Sequence, residues 1–303
     1  MTFPRFVRCF AWLAGLFALA SLFALGFASL ASAAPAWWRV SDGHGEIWII
    51  GAPRVTPRNF TWDTSGLERR LAGAGALIVG PQPKGKVAEA GLLLINIVDL
   101  RSQGPMEDSL SPPVRRQFVA AREVIGQDAR HYAGWKPAVA GYWLSQDFFK
   151  AYDLESGQVE RKVRKLARDK GLTEVSSGVV DPAEMIKQFK TLGPKGQEAC
   201  LAASVHDIAI GADRLKAMAD GWARGDVTTP PIDAVDRACL SAAPAFGAAF
   251  DRAAAQDSAA IAQALSRGSS HAVAEFDLPT LTMQGGVLDR LRARGLQVTG
   301  PVE

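Results

Sequence analysis

Two apolar segments separated by a polar turn begin the patterned part of the chain. Residues 37–40 read Trp-Trp-Arg-Val and residues 47–50 read Ile-Trp-Ile-Ile, with Asp-Gly-His-Gly at 42–45 between them. Large apolar residues on both sides of a turn rich in Asp and Gly predict a β-hairpin. The second segment is apolar at every position, which is typical of a strand buried on both faces. Gly51 follows it and indicates a sharp turn or a close backbone approach, at a strand end where active sites are common.

Short apolar runs and longer helical patterns alternate along the rest of the chain. The apolar runs predict strands at 76–79, 172–175 and 271–276, and the closing segment 285–298 predicts a helix followed by a strand. Helical patterns cover 67–74, 112–126, 195–224 and 235–267. Ser65 and Glu68 have the Ser-x-x-Glu spacing of a capping box at the start of the first helix. These segments supply strands near both ends of the chain and helices between them.

Residues 1–33 have the three parts of a secretory signal. Two arginines form a short basic region, residues 10–30 are mostly Ala, Leu, Phe and Gly, and Ala31-Ser32-Ala33 fits the small-x-small cleavage rule. We predict cleavage between Ala33 and Ala34, and a mature protein that lies in the periplasm. The alternative is an uncleaved N-terminal membrane anchor, because the apolar run is close to the ~20 residues that span a bilayer.

Composition excludes one class of partner. The chain has 303 residues and a formal charge of +3, and Arg5 and Arg8 of the signal account for two of these charges. A mature chain near charge neutrality gives no electrostatic case for nucleic acid, so we predict no nucleic-acid partner. Contact with a membrane is expected only through residues 1–33, if that segment stays uncleaved. The sequence identifies no other partner.

The mature chain has two cysteines, Cys200 and Cys239. A cysteine pair in an oxidising compartment is often a disulfide, and both residues lie in predicted helical segments on either side of a turn at Pro230-Pro231. We therefore predict a disulfide between them. The alternative is two buried thiols, which fits a reducing compartment better. Two cysteines without a nearby histidine are a weak basis for a metal site.

Three motifs follow one another in a characteristic order. They are the opening hairpin with Gly51, a helix end that reads Trp222-Ala-Arg-Gly-Asp, and the helix–strand unit at 285–298. In this order and spacing they resemble the TraB/GumN family over nearly the whole mature chain. The resemblance implies one α/β (α+β) domain over 34–303, with a mixed central sheet formed by the N- and C-terminal parts of the chain and a largely helical middle, roughly 110–267. It also implies a divalent metal, peptidase-like chemistry and, for bacterial members, a role in envelope processes.

Where that family has its metal-binding motifs, this sequence has other residues. The first Gly-x-x-His reads Gly51-Ala-Pro-Arg54 here, Gly80 replaces the glutamate that follows the strand at 76–79, and no second Gly-x-x-His occurs near 275–281. A guanidinium group stays protonated and offers only hydrogen-bond donors, so Arg54 cannot hold a cation. The resemblance is therefore to a degenerate member, for which we predict no metal and no cofactor.

Three functions remain open. The first is a catalytically inactive, extracytoplasmic relative with a pocket in which Arg54 and Arg58 bind an anionic group; the alternative for both arginines is an ordinary surface position. The second is a hydrolase with a rebuilt site made of His271, Glu275 and Asp277, which alternation places on one face of a strand. The alternative for His271 is packing or hydrogen bonding at the strand start. The third function is a structural or chaperone-like envelope module.

Overall fold

The strands come from both ends of the chain and from its middle. The computed structural model describes residues 34–83, 98–229, 234–268 and 271–302. The predicted signal, 1–33, lies outside the described residues. The strands are β1 (Trp37–Ser41), β2 (Glu46–Ala52), β3 (Val55–Pro57), β4 (Ala76–Val79), β5 (Gln82–Pro83), β6 (Leu154–Ser156), β7 (Thr173–Ser176), β8 (Val179–Val180), β9 (His271–Asp277) and β10 (Gln297–Val302).

Helices fill most of the chain between β6 and β9 and also flank the sheet. They are α1 (Ser65–Leu71), α2 (Pro112–Val124), α3 (Ala129–Ala133), α4 (Pro137–Ala151), α5 (Gln158–Asp169), α6 (Pro182–Thr191), α7 (Pro194–Ile210), α8 (Ala212–Ala223), α9 (Ala234–Ala242), α10 (Pro244–Ser266), α11 (Leu278–Thr282) and α12 (Val287–Ala293). Among the residues that the structure describes, no helix combines the length and the hydropathy needed to cross a membrane.

A mixed sheet joins the two ends of the chain. Its strand order in the described residues is β10-β1-β2-β9-β4-β7. Strand β1 runs antiparallel to β2 and β10, whereas β2, β9, β4 and β7 run parallel to one another. The predicted α/β fold, with a mixed central sheet from the N- and C-terminal parts and a largely helical middle, is confirmed. The parallel strands place their carboxyl ends at one edge of the sheet, where ligands commonly bind.

The β1–β2 hairpin forms as predicted. Asp42 Oδ1 accepts hydrogen bonds of 2.9 Å from the backbone N–H groups of His44 and Gly45. Gly43 adopts φ +91°, a conformation that a residue with a Cβ rarely takes. Strand β2 buries each of its isoleucines, in agreement with a strand that is covered on both faces.

Gly51 remains within β2 and lies against α11. A Cβ at this position would be 2.6 Å from Cδ1 and 3.3 Å from Cα of Leu278. The carbonyl oxygen of Gly51 accepts a hydrogen bond of 2.7 Å from Nε1 of the buried Trp222, near the end of α8. Of the two predicted alternatives for this glycine, the close backbone approach is therefore the observed one.

Two of the predicted helices are divided in the structure. The segment 195–224 forms α7 and α8 instead of one helix, because Gly211 adopts φ +89° and interrupts it. The segment 235–267 forms α9 and α10, which meet at Ala243. Proline follows the break at once in the second case, and a proline is well tolerated at the first position of a helix.

The predicted capping box before α1 is wrong. Thr64, rather than Ser65, is the N-cap residue, and its side chain accepts no backbone hydrogen bond. The Thr64 hydroxyl donates to Glu68 Oε1 at 2.7 Å instead. The helix also ends at Leu71, before the predicted limit at residue 74.

The helical middle has its own apolar core, and one covalent cross-link ties two of its helices. Phe118, Tyr132, Leu144 and Phe148 belong to this core and are buried. The predicted disulfide is confirmed: a disulfide bond joins Cys200 of α7 to Cys239 of α9.

We expect Gly51→Ala to destabilise the fold by about 1–3 kcal/mol, because the new methyl group would collide with α11 and overpacking costs energy of this order. Urea unfolding would measure the change. The control is Gly247→Ala in α10, where a Cβ would meet no atom within 4 Å. That substitution should be neutral or stabilise by up to about 1 kcal/mol, as alanine favours helix. Equal effects of the two changes would contradict the close approach at Gly51.

Candidate functional site

A cleft opens at the edge of the sheet where β2, β9 and β4 end. Its volume is about 520 Å³. The two strand ends meet there because β2 and β9 pair in parallel, with Ala52 opposite Asp277. The cleft is lined by Ala52, Pro53, Arg54, Gly80, Pro81, Gln82, Ser156, Gly157, Glu160, Ala253, Asp257, Glu275, Phe276, Asp277 and Thr280.

An ion pair joins the two strand ends. Arg54 Nε donates to Asp277 Oδ1 at 2.7 Å, and Arg54 Nη2 donates to Asp277 Oδ2 at 2.9 Å. Asp277 also caps α11, since its Oδ2 accepts hydrogen bonds from the backbone N–H and the hydroxyl of Thr280. Burial opposes the charge of Arg54, but the hydrogen bonds and charge of Asp277 outweigh it and raise the pKa of Arg54. Arg54 is therefore a permanent cation held in a bidentate geometry.

Glu275 lies on β9 in the cleft and is 5% exposed. Its carboxyl group has no hydrogen-bond partner among the residues that the structure describes. Burial raises its pKa to about 8, and the negative charges of Glu160, Asp277 and Asp257 act in the same direction, against the opposing charge of Arg164. Near neutral pH this residue is mostly a neutral carboxylic acid in the free protein.

A second buried acid faces the cleft from α10. Asp257 is 3% exposed and accepts a hydrogen bond of 2.5 Å from the Ser177 hydroxyl. Burial raises its pKa to about 6, although the Ser177 hydrogen bond acts to lower it. Asp257 is not identified as a site residue from the sequence, because its segment has the pattern of an ordinary alanine-rich helix. The signal in the sequence was a charged residue, Asp257, in an alanine-rich helix, because charged residues are rarely buried on a helix face.

Glu160, the remaining acid of the cleft, is paired. Arg164 Nη2 lies 2.9 Å from Glu160 Oε1, and Arg164 Nη1 lies 3.3 Å from Glu174 Oε1. The positive charge of Arg164 is therefore shared between two carboxylates and leaves no surplus for the cleft.

The structure separates the three residues of the predicted rebuilt site. Glu275 and Asp277 reach the cleft, but His271 is at the opposite end of β9, roughly 13 Å from Glu275 at about 3.3 Å per residue. His271 Nε2 lies 2.8 Å from the carbonyl oxygen of Arg70, as expected for a histidine that hydrogen-bonds at a strand start. The three residues do not form one site, because alternation fixes the face of a strand but not the distance along it.

The two arginines predicted to bind an anion are also separated. Arg54 lines the cleft, whereas Arg58 lies near Asp153, with 3.5 Å between Nε and Oδ1. Each arginine faces a carboxylate of the same chain. Among the described residues, Arg54 and Arg58 therefore do not form a shared anion site.

A second, larger cavity of about 730 Å³ lies beyond Arg54. Pro53 and Arg54 contribute to the walls of both spaces. The second cavity is more apolar, with Phe148, Met218 and Trp222 in its wall. Arg54 therefore borders both spaces, whereas Asp277 lines the cleft but not the second cavity.

A family model described as the TraB/PrgY/gumN family matches residues 36–300. This chain belongs to the TraB/PrgY/gumN family. No match was found among curated proteins or among solved structures. The family match covers both strand ends of the cleft as well as the helical middle.

The divalent metal implied by the TraB/PrgY/gumN resemblance does not fit the residues of this cleft. A cation site needs several lone-pair ligands that converge on one point. Among the described residues no three His, Cys, Asp or Glu side chains form such a group. Arg54 presents donors where the motif has histidine, and Gly80 leaves open space, since a Cβ there would meet no atom within 4 Å.

We expect the free energy of unfolding to fall as the pH rises from about 5 to 8. The folded-state pKa of Glu275 is about 8, above its ordinary value of 4.5, so the folded chain keeps a proton that the unfolded chain loses in this range. This contribution is fully present below the unfolded pKa and disappears as the pH approaches the folded pKa. One group gives a slope of at most about 1.4 kcal/mol per pH unit. Asp257 adds a change of the same sign up to about pH 6.

Urea unfolding across this pH range would measure the effect for the wild type and for Glu275→Gln. Glutamine does not titrate, so the variant should show a flatter dependence. Glu123→Gln is the control, because the Glu123 side chain is 65% exposed and lies on α2. Identical slopes for the wild type and Glu275→Gln would contradict the raised pKa of Glu275.

Proposed function

We propose that this TraB/PrgY/gumN-family protein is a catalytically inactive binding protein, in which an internal ion pair replaces the metal centre. The observation that supports this proposal is the bidentate contact between Arg54 and Asp277 at the paired ends of β2 and β9. Arg54 occupies the motif position of a histidine, so the positive charge at this place belongs to the chain itself.

A guanidinium group cannot perform the chemistry of a metal ion. A hydrolytic metal lowers the pKa of a bound water and polarises a carbonyl oxygen at an open coordination position. Arg54 has no coordination position, and two of its N–H groups already contact Asp277. The pair therefore removes the two requirements of metal-dependent hydrolysis, the ion and the activated water, while the cleft remains open for a ligand.

The ligand of the cleft is not expected to be an anion. Arg54 is neutralised by Asp277 and Glu160 is paired with Arg164, so the ionised Asp257 gives the cleft a negative charge near neutral pH, where Glu275 is mostly protonated. An incoming carboxylate or phosphate would compete with Asp277 for the guanidinium and would meet repulsion from the floor of the cleft. This consideration revises the anion site proposed from the sequence for Arg54 and Arg58.

We expect the purified protein to retain no stoichiometric Zn²⁺, Mn²⁺ or Co²⁺ after incubation and buffer exchange, and to hydrolyse no peptide in the presence of these ions. Elemental analysis and a mixture of fluorogenic peptides would measure both properties. Wild type and Arg54→Ala should be compared, as the variant removes the cation of the ion pair without supplying a ligand. A bound metal at one ion per chain, or hydrolysis that a chelator abolishes, would overturn the proposed inactivity.

One observation favours a second candidate, a metal-independent hydrolase with a rebuilt site. Glu275 and Asp257 share the cleft, with pKa values of about 8 and about 6. Two carboxyl groups whose environments separate their pKa values are suited to general acid and general base roles. Peptide hydrolysis that persists with a chelator and is lost in Glu275→Gln would support this candidate in place of the binding protein.

The proposal includes an extracytoplasmic location and an association with the cell envelope. The signal-like residues 1–33 and the disulfide of Cys200 with Cys239 support it, because structural disulfides are typical of oxidising compartments.

Intact-mass measurement and alkylation would test this location. We expect the protein isolated from cells to begin at Ala34 and to take up iodoacetamide only after reduction, since its two remaining cysteines are bonded to each other. An uncleaved anchor would retain Cys9 and would be alkylated without reduction. A full-length protein with three free thiols would contradict export.

A further inference from the structure

Glu275 is a buried carboxyl group without a hydrogen-bond partner among the described residues. It is 5% exposed, it lines the cleft, and no described residue donates a hydrogen bond to it. Buried polar groups in native proteins almost always have a hydrogen-bond partner, and an unsatisfied one destabilises the fold. Because Glu275 lines an open cleft, its donors must come from the cleft, from water in the free protein and from a molecule bound there when the cleft is occupied.

The charge of the cleft indicates the nature of these donors. Arg54 is held by Asp277, and Arg164 is shared between Glu160 and another carboxylate. Asp257 has a hydroxyl donor, Ser177, and no ion pair among the described residues. The floor of the cleft therefore contains two buried acids, Asp257 and Glu275, neither of which forms an ion pair with an arginine or lysine of the described chain. A ligand with N–H donors and a positive charge satisfies both requirements.

We propose that the cleft binds a primary ammonium group, with the carboxyl groups of Glu275 and Asp257 as its acceptors. This inference rests on the proposed binding function and names the ligand class of the same cleft. An ammonium group is a compact charge with three donors, so one such group has enough donors for both carboxyl groups. Ala52, Pro53 and Ala253 give the adjoining wall an apolar character that suits the carbon atoms beside the nitrogen.

Binding of an ammonium group is coupled to a proton. Glu275 is mostly protonated near pH 7 in the free protein, and it accepts from a cation best as a carboxylate. The groups that face it are Glu160 and Arg164 of α5, Asp257 of α10 and Asp277 of its own strand; the acids oppose its ionisation and Arg164 favours it. The ligand charge acts with Arg164. Binding should therefore release a proton, and affinity should rise from about pH 6 to 8.

Calorimetric titration with n-butylamine and its uncharged counterpart N-butylacetamide, at equal ionic strength, tests the proposal. The amine should bind to the wild type and the amide should not. Glu275→Gln should weaken amine binding roughly tenfold or more, because it removes a charged hydrogen bond. Glu123→Gln, on α2, should match the wild type. Titrations at pH 7 in buffers of different ionisation enthalpy should show proton release by the wild type and a smaller release by Glu275→Gln, in which only Asp257 can still lose a proton.

Two further pairs of probes identify the source of the ammonium group. Tri-alanine against N-acetyl-tri-alanine represents a peptide amino terminus, and glucosamine against N-acetylglucosamine represents an amino sugar. The pair with the larger difference in affinity names the source. Asp257→Asn provides a second variant, for which the same loss of amine binding is expected if Glu275→Gln fails to fold.

Several results would overturn the inference. They are an absence of amine binding, equal binding of n-butylamine and N-butylacetamide, or unchanged amine affinity in folded Glu275→Gln. These results are independent of the test of the proposed function. A metal-bound or chelator-sensitive enzyme would refute the inactive binding protein, whereas failure of the amine titrations alone would refute only the ligand class.

Discussion

The parallel pairing of β2 with β9 is the constraint on which the site depends. These strands are far apart in the sequence, and their register places Ala52 opposite Asp277. Both strands are largely buried, so a shift of one residue would turn every side chain of the shifted strand to the opposite face and disrupt its packing. The register therefore places the end of β2, two residues before Arg54, beside Asp277. The ion pair is a consequence of sheet packing that electrostatics then strengthens.

This origin explains why the contact can be specific although it is partly exposed. The side chains of Arg54 and Asp277 are 51% and 31% exposed, and ion pairs of this kind add little to stability. The main effect of this ion pair is on the net charge of the cleft. Arg54 is matched by Asp277, so the ionised Asp257 keeps the cleft negative near neutral pH. A divalent ion at this position would have neutralised more of that charge and would also have supplied a reactive centre.

Local pattern was sufficient to predict the hairpin, the strands at 76–79 and 271–276, and the order of helices, because burial on the sheet and on the helices leaves a clear period in the sequence. That no metal is bound stays a prediction of the sequence, made because Arg54 and Gly80 stand where the resembled family has ligands. The pattern of apolar and polar residues could not predict distances between residues that are far apart in the sequence. The contact of Arg54 with Asp277 depends on tertiary pairing, as does the remoteness of His271 from the cleft. The break at Gly211 was equally hidden, because a glycine inside a helical pattern is compatible with a continuous helix.

The burial of Glu275 is an argument that the cleft binds a ligand. An unpartnered carboxyl group lowers the stability of the fold, and a glutamine or an apolar residue of similar size would avoid the cost of ionising it. A scaffold that served only as a structural module would gain nothing from Glu275 in the wall of an open cleft. The helix α10 adds Asp257 to the same space, again with burial and a raised pKa. Strand β9 and helix α10 thus each place a buried acid in the same cleft at a cost in stability. This arrangement is expected of a binding site.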